Sequence, residues 1–145
     1  MCNIIKTILI FVTITNIYAK ELIRSGEYII DDTHKKMWQD NRETRELRMT
    51  HKEAVEYCQS LHFKGFSDWR LPSKDEVKLI VDKTRNSDIK INKVFRNVAK
   101  DSYWLNDRTW IRNFGQYGFY IFIKSGAIYY QNRAYLKYVR CVRDI

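Results

Sequence analysis

Leaving aside Cys2, the sequence holds two cysteines, Cys58 and Cys141, 83 residues apart. What they can do depends on the compartment in which the chain folds, and its start bears on that. Lys6 supplies a positive charge, residues 7–17 form an apolar or neutral run of eleven, and Ile17-Tyr18-Ala19 ends it on an aliphatic and then a small residue. This is the layout of a secretory signal peptide cut after Ala19. The alternative is an uncleaved membrane anchor, but residues 7–19 number only thirteen, short of the ~20 a bilayer span needs. The sequence therefore predicts a signal peptide over 1–19 and a single exported domain over 20–145. Removal of Cys2 leaves one pair, and two cysteines in an exported chain predict a Cys58–Cys141 disulfide, with buried free thiols as the alternative. Closing so long a loop stabilises by about 4–5 kcal/mol at most on chain-entropy grounds.

The rest of the chain is rich enough in apolar residues to fold around one core. Hydrophobic residues make up 45% and charged residues 30%, which excludes a disordered tail, and one Pro with five Gly excludes a Pro-rich or collagenous chain. Glu27-Tyr28-Ile29-Ile30 reads as a short strand ending in an Asp31-Asp32 turn, and Met37-Trp38 as a second. Residues 40–48 read as a charged loop. Thr50-His51-Lys52-Glu53 and Ser73-Lys74-Asp75-Glu76 are both capping boxes. Ala54, Cys58 and Leu61 follow the first at helical spacing, predicting a helix over 51–63; Val77, Ile80 and Val81 follow the second. Residues 85–100 read as polar loop. Beyond them the pattern turns to strands: Tyr103-Trp104-Leu105 and Thr109-Trp110-Ile111 around an Asn106-Asp107 turn, then 118–124 and 127–131 around Ser125-Gly126, then a closing strand over 138–143. The expected fold is α+β, two helices of the N-terminal half packed on a C-terminal antiparallel sheet.

Four pieces at this order and spacing resemble a known family. They are Asp32-Thr33 with Met37-Trp38-Gln39-Asp40; Ala54 with Tyr57-Cys58; Gly65 and Asp68-Trp69-Arg70-Leu71-Pro72 with Glu76; and Val139-Arg140-Cys141-Val142-Arg143. Together they are similar to the Lcl C-terminal domain family, named for the end domain of the Legionella collagen-like adhesin. The resemblance implies an exported bacterial protein, on the cell surface, in the periplasm or outside the cell. In the named adhesin it implies binding of sulfated polysaccharides. The cysteine placement is also similar to C-type lectin-like folds. The calcium-binding motif of those lectins is not matched, because Trp104-Leu105-Asn106-Asp107 carries an extra residue and the single proline lies elsewhere.

Charge placement suggests how such a chain binds. Residues 20–85 carry 14 basic and 13 acidic groups, whereas residues 86–145 carry 11 and 4. No acid occurs between Asp107 and Asp144, a window that holds Arg108, Arg112, Lys124, Arg133, Lys137, Arg140 and Arg143 among ten aromatic residues. Such lopsided charge steers polyanions, and Arg or Lys beside aromatic faces suits sulfated sugars. About half of those aromatics are needed for the core, so the same pattern also describes an ordinary sheet with a soluble face. Alternation with a buried Cys141 would turn Arg140 outward. Lys124, Arg133, Lys137 and Arg140 are therefore the leading candidates for contacting an anionic polysaccharide, ahead of Arg108 and Arg112. His34, His51 and His62 lack ligand spacing, and acidic turns such as Asp31, Asp32 and Asp40 are more often solvated than calcium-bound. Asp68 and Arg70 read as a structural pair. With no phosphate loop, nucleophile elbow or Ser/His/Asp set, the expectation is a non-enzymatic binding module without metal or cofactor. A periplasmic protein-interaction or structural role is the alternative, and an uncharacterised enzyme a minor one.

Overall fold

The structure, a computed structural model, describes residues 22–108 and 116–145. The expected signal peptide, the expected strand at residues 109–111, and Arg112 lie outside them. Gly26, at φ +65°, turns β1 (Leu22–Ser25) back onto β2 (Tyr28–Asp31), so the opening strand is a hairpin. Asp31 closes the next turn, accepting from the backbone N–H of His34 at 3.0 Å and contacting its Nδ1 at 2.6 Å. β3 (Lys36–Gln39) pairs with β2 on one side and with the last strand, β9 (Val142–Asp144), on the other. The stretch expected as a charged loop instead holds α1 (Glu43–Glu46) and β4 (Arg48–Met49). Thr44 makes the difference: it is fully buried and its carbonyl accepts from the Tyr103 hydroxyl at 2.6 Å.

Both capping boxes form. Thr50 starts α2 (His51–Ser60) and Ser73 starts α3 (Lys74–Lys78), each accepting from the N–H three residues on while the Glu there reaches back. α2 stops three residues before the predicted end; Leu61 is already extended, and the Ser60 hydroxyl bonds the Glu56 carbonyl at 2.8 Å. Then come β5 (Ser102–Arg108), β6 (Tyr117–Phe122), β7 (Ala127–Asn132) and β8 (Lys137–Tyr138). Asn106-Asp107 is no turn. Both residues lie within β5, where the register against β6 shifts between Trp104 and Arg108, and the Asn106 N–H is drawn to the Pro72 carbonyl at 2.8 Å.

The strands form two sheets, β1-β2-β3-β9 and β4-β8-β5-β6-β7. The expected single C-terminal antiparallel sheet is thus corrected in two ways. The opening strands make a sheet of their own with the chain end, and β5 runs parallel to β8 at Tyr103–Tyr138. The fold is mixed α and β, mostly β, with few short helices. The predicted closing strand is split, since residues 139–141 cross from one sheet to the other. Strand alternation sorts the core in two. Trp38, Tyr103, Leu105, Ile121 and Val142 pack with Val77, Ile80, Ile91 and Phe95, whereas Met37, Trp104, Val139 and Cys141 pack under α2 with Ala54, Cys58, Trp69 and Leu71. Cys58 and Cys141 are bridged, their Cα atoms 5.6 Å apart, at the centre of the second cluster. Such a bridge is in keeping with folding in an oxidising compartment. Among the described residues no helix is long and apolar enough to cross a membrane.

Candidate functional site

The β6–β7 connection is tight because Ser125-Gly126 folds back on the Phe122 carbonyl, which accepts from the N–H groups of both residues at 3.2 and 2.8 Å. Gly126 sits at φ +70°, and a Cβ there would lie 3.2 Å from Lys90 Cβ and from Val81 Cγ1, and 3.4 Å from Lys83 Cγ. The loop after α3 therefore runs directly against this turn. It is held there by the Lys90 N–H on the Ile123 carbonyl (2.9 Å) and the Asp82 N–H on the Lys90 carbonyl (2.8 Å). Between loop and hairpin lies an open groove of about 530 Å³ with Val81, Ala127 and Ile128 as an apolar floor and Lys78 and Lys83 on the rim. Lys124, exposed, enters the same turn.

Carboxylates near the groove are few and occupied. Asp75 lies 3.6 Å from Lys78, both well exposed, and Asp88 lies 3.8 Å from Lys100. Asp82 accepts from the Thr84 hydroxyl at 2.6 Å, which holds its carboxyl below the usual range. Among the described residues no carboxylate is within ion-pair distance of Lys83 or Lys124.

Among the described residues, those predicted from the acid-free window do not converge. Arg133 is half-buried at another place, a groove of about 560 Å³ along α2 with Lys52, Val55, Glu56 and Gln59. Lys137 is 7% exposed; its Nζ lies 3.8 Å from the Tyr120 ring centre and donates to Gln131 Oε1 at 2.6 Å. Burial pushes its pKa down, partly opposed by Asp101.

Arg140 is internal. It is 4% exposed and donates to the Gln39 carbonyl at 2.6 Å, Asp40 Oδ1 at 2.8 Å and the Asn97 carbonyl at 2.7 Å. The alternation argument fails for it because the crossing segment has protein on both sides, the α2 core against Cys141 and Asp40 with Phe95 against Arg140. Asp40 also pairs with Arg24 and accepts from the N–H of Arg96 at 2.9 Å. Burial opposes its ionisation, but Arg140 and the other donors outweigh it and hold the carboxyl low. Arg143 is likewise engaged, by Asp68 at 2.6 Å. Arg112 and the side chain of Arg108 lie outside the described residues.

Lys78 and Lys83 escaped the sequence reading because they fall in the half whose charges balance. The signal that could have found them is their spacing after the second capping box, where four basic residues face two acids over 78–90.

No curated protein and no solved structure matches the chain. A family model described as the Lcl C-terminal domain matches residues 27–143, which takes in both sheets from β2 onward, the disulfide and the lysine-rimmed groove. By that match the chain belongs to the Lcl C-terminal domain family, a binding or adhesion-related module.

Proposed function

We propose that this is an exported, non-enzymatic attachment module that binds anionic polysaccharide through the groove at the β6–β7 turn. One observation carries the reading: Lys78 and Lys83 rim an apolar-floored groove, and among the described residues neither Lys83 nor Lys124, exposed in the adjoining turn, has a carboxylate partner. Sulfate or carboxylate groups along a glycan would meet the ammonium groups, while ring faces rest on Val81 and Ile128. Export is supported by the disulfide and by the N-terminal apolar run. The lectin-like arrangement belongs to the same proposal, supported by the bridge from a helix to the C-terminal segment.

Heparin retention tests it. Because binding would release counterions, elution should shift to lower salt in Lys83→Gln/Lys124→Gln, with the log–log salt slope falling by about one unit per lysine. Arg133→Gln, in the separate groove along α2, should elute with the parent. Retention that survives molar NaCl, or that ignores the double substitution, overturns the reading. A second reading, docking of an envelope protein, is favoured by one observation, the exposed run of Tyr129, Tyr130, Tyr135 and Leu136, each 48–56% exposed. Salt-insensitive self-association or a single co-purifying partner would favour it instead.

A further inference from the structure

The second depression of the β6–β7 hairpin lies on the face opposite Ile121 and Ile128. Register pairs Tyr120 with Tyr129 on that face, and their rings sit 5.9 Å apart with a 34° tilt. α2 covers only part of it: Trp104, beside Tyr120, is fully buried under the Cys58 cluster, while Tyr129 is left 48% exposed. Lys137 stands at the boundary, its Nζ 5.2 Å from the Trp104 ring centre and 3.8 Å from that of Tyr120. A depression of about 480 Å³ opens there, lined by Asp101, Ser102, Tyr120, Tyr129, Gln131 and Lys137.

Among the described residues no carboxylate is in ion-pair contact with Lys137, and a lysine buried to this degree is costly unless its donors are used. One N–H goes to Gln131 Oε1 at 2.6 Å, and the rings beneath offer cation–π attraction. Of the three donors an ammonium carries, that leaves at least one for a ligand. Asp101 brings the opposite charge; its Oδ1 accepts from the Ser102 N–H at 2.8 Å, leaving Oδ2 as an acceptor at the rim. The site is thus close to neutral, holds both donors and acceptors, and has a flat aromatic wall. Vicinal hydroxyls of a pyranose donate and accept together, and its axial C–H face packs on aromatic rings. A polyanion is the wrong ligand here, because Asp101 would repel it.

We infer that this depression is a stacking site for uncharged pyranose units of a glycan, with Tyr129 as the platform and Lys137, Asp101 and Gln131 bonding ring hydroxyls. It is separate from the lysine groove and does not depend on it. The test is titration of the intact protein with cellohexaose, maltohexaose and chitohexaose, followed by saturation-transfer NMR and intrinsic fluorescence at low and molar NaCl. At least one oligosaccharide should bind with little change across salt. Tyr129→Ala should weaken that binding on the order of tenfold, and Asp101→Asn should weaken it as well. Both residues are exposed, so neither change removes core, and a thermal melt checks that each variant folds. Failure of all three sugars to bind at millimolar concentration overturns the inference, as does binding unaffected by both substitutions. Heparin retention should be unchanged in Tyr129→Ala, so a failure of the lysine groove is read separately.

Discussion

The carboxylate of Glu76 accepts from Arg70 at 2.6 and 2.8 Å and from the Ser73 N–H at 3.0 Å, with Lys36 Nζ 3.1 Å away. Burial opposes its ionisation, yet Arg70, Ser73 and Lys36 outweigh that and hold its pKa at about 2, below an ordinary 4.5. A carboxyl depressed on folding stabilises fully above its unfolded pKa and ceases to do so as pH falls through the folded one. The stabilisation should therefore be intact above pH 4.5 and lost towards pH 2, an upper bound of about 3 kcal/mol. Urea melts across that window should show Glu76→Gln weaker at pH 7 but less sensitive to acid. Gly118 gives a steric prediction. A Cβ there would fall 2.7 Å from Cδ2 of the fully buried His51, whose ring stands edge-on to Trp104. Gly118→Ala should cost about 1–3 kcal/mol by overpacking, read as a lower urea midpoint at unchanged slope.

At the scale of elements, the two capping boxes were legible because every partner lies within four residues. Each of Thr50→Ala and Ser73→Ala should cost about 1 kcal/mol, and helicity should report the first more than the second, since α2 has ten residues and α3 five. The Ser125-Gly126 turn was legible for the same reason. The split of the closing strand was not. Val142 is held between Trp38 of β3 and the Arg70 backbone, with N–H to carbonyl distances of 2.8 and 2.9 Å to the latter. Nothing local to residues 138–143 marks where such remote partners change. α1 was missed because the burial of Thr44 comes from Tyr103 and Asn97, more than fifty residues away.

For the whole molecule, the bridge ties α2 to the crossing segment between the sheets. Reduction should lower stability by as much as about 4 kcal/mol and unfold both clusters together, a single transition in differential scanning calorimetry that moves down under reductant. The ion pairs form a second long-range tie, since Asp40 and Asp68 of the front half neutralise Arg140 and Arg143 of the tail. This is why the acid-free window does not act as one cationic face. The guanidinium groups of Arg140 and Arg143 found carboxylates across the fold, whereas Lys83 of the middle segment rims an open groove.

By itself the sequence determined what depends on near neighbours or on simple counting: the helix starts, the hairpin turn, the cysteine pair and the family. Tertiary structure alone decided which cations are buried and paired and which stay exposed. Charge along the chain is fixed by composition, whereas desolvation and pairing are fixed by what the fold places within a few ångströms, and for Arg140 that partner lies 100 residues away.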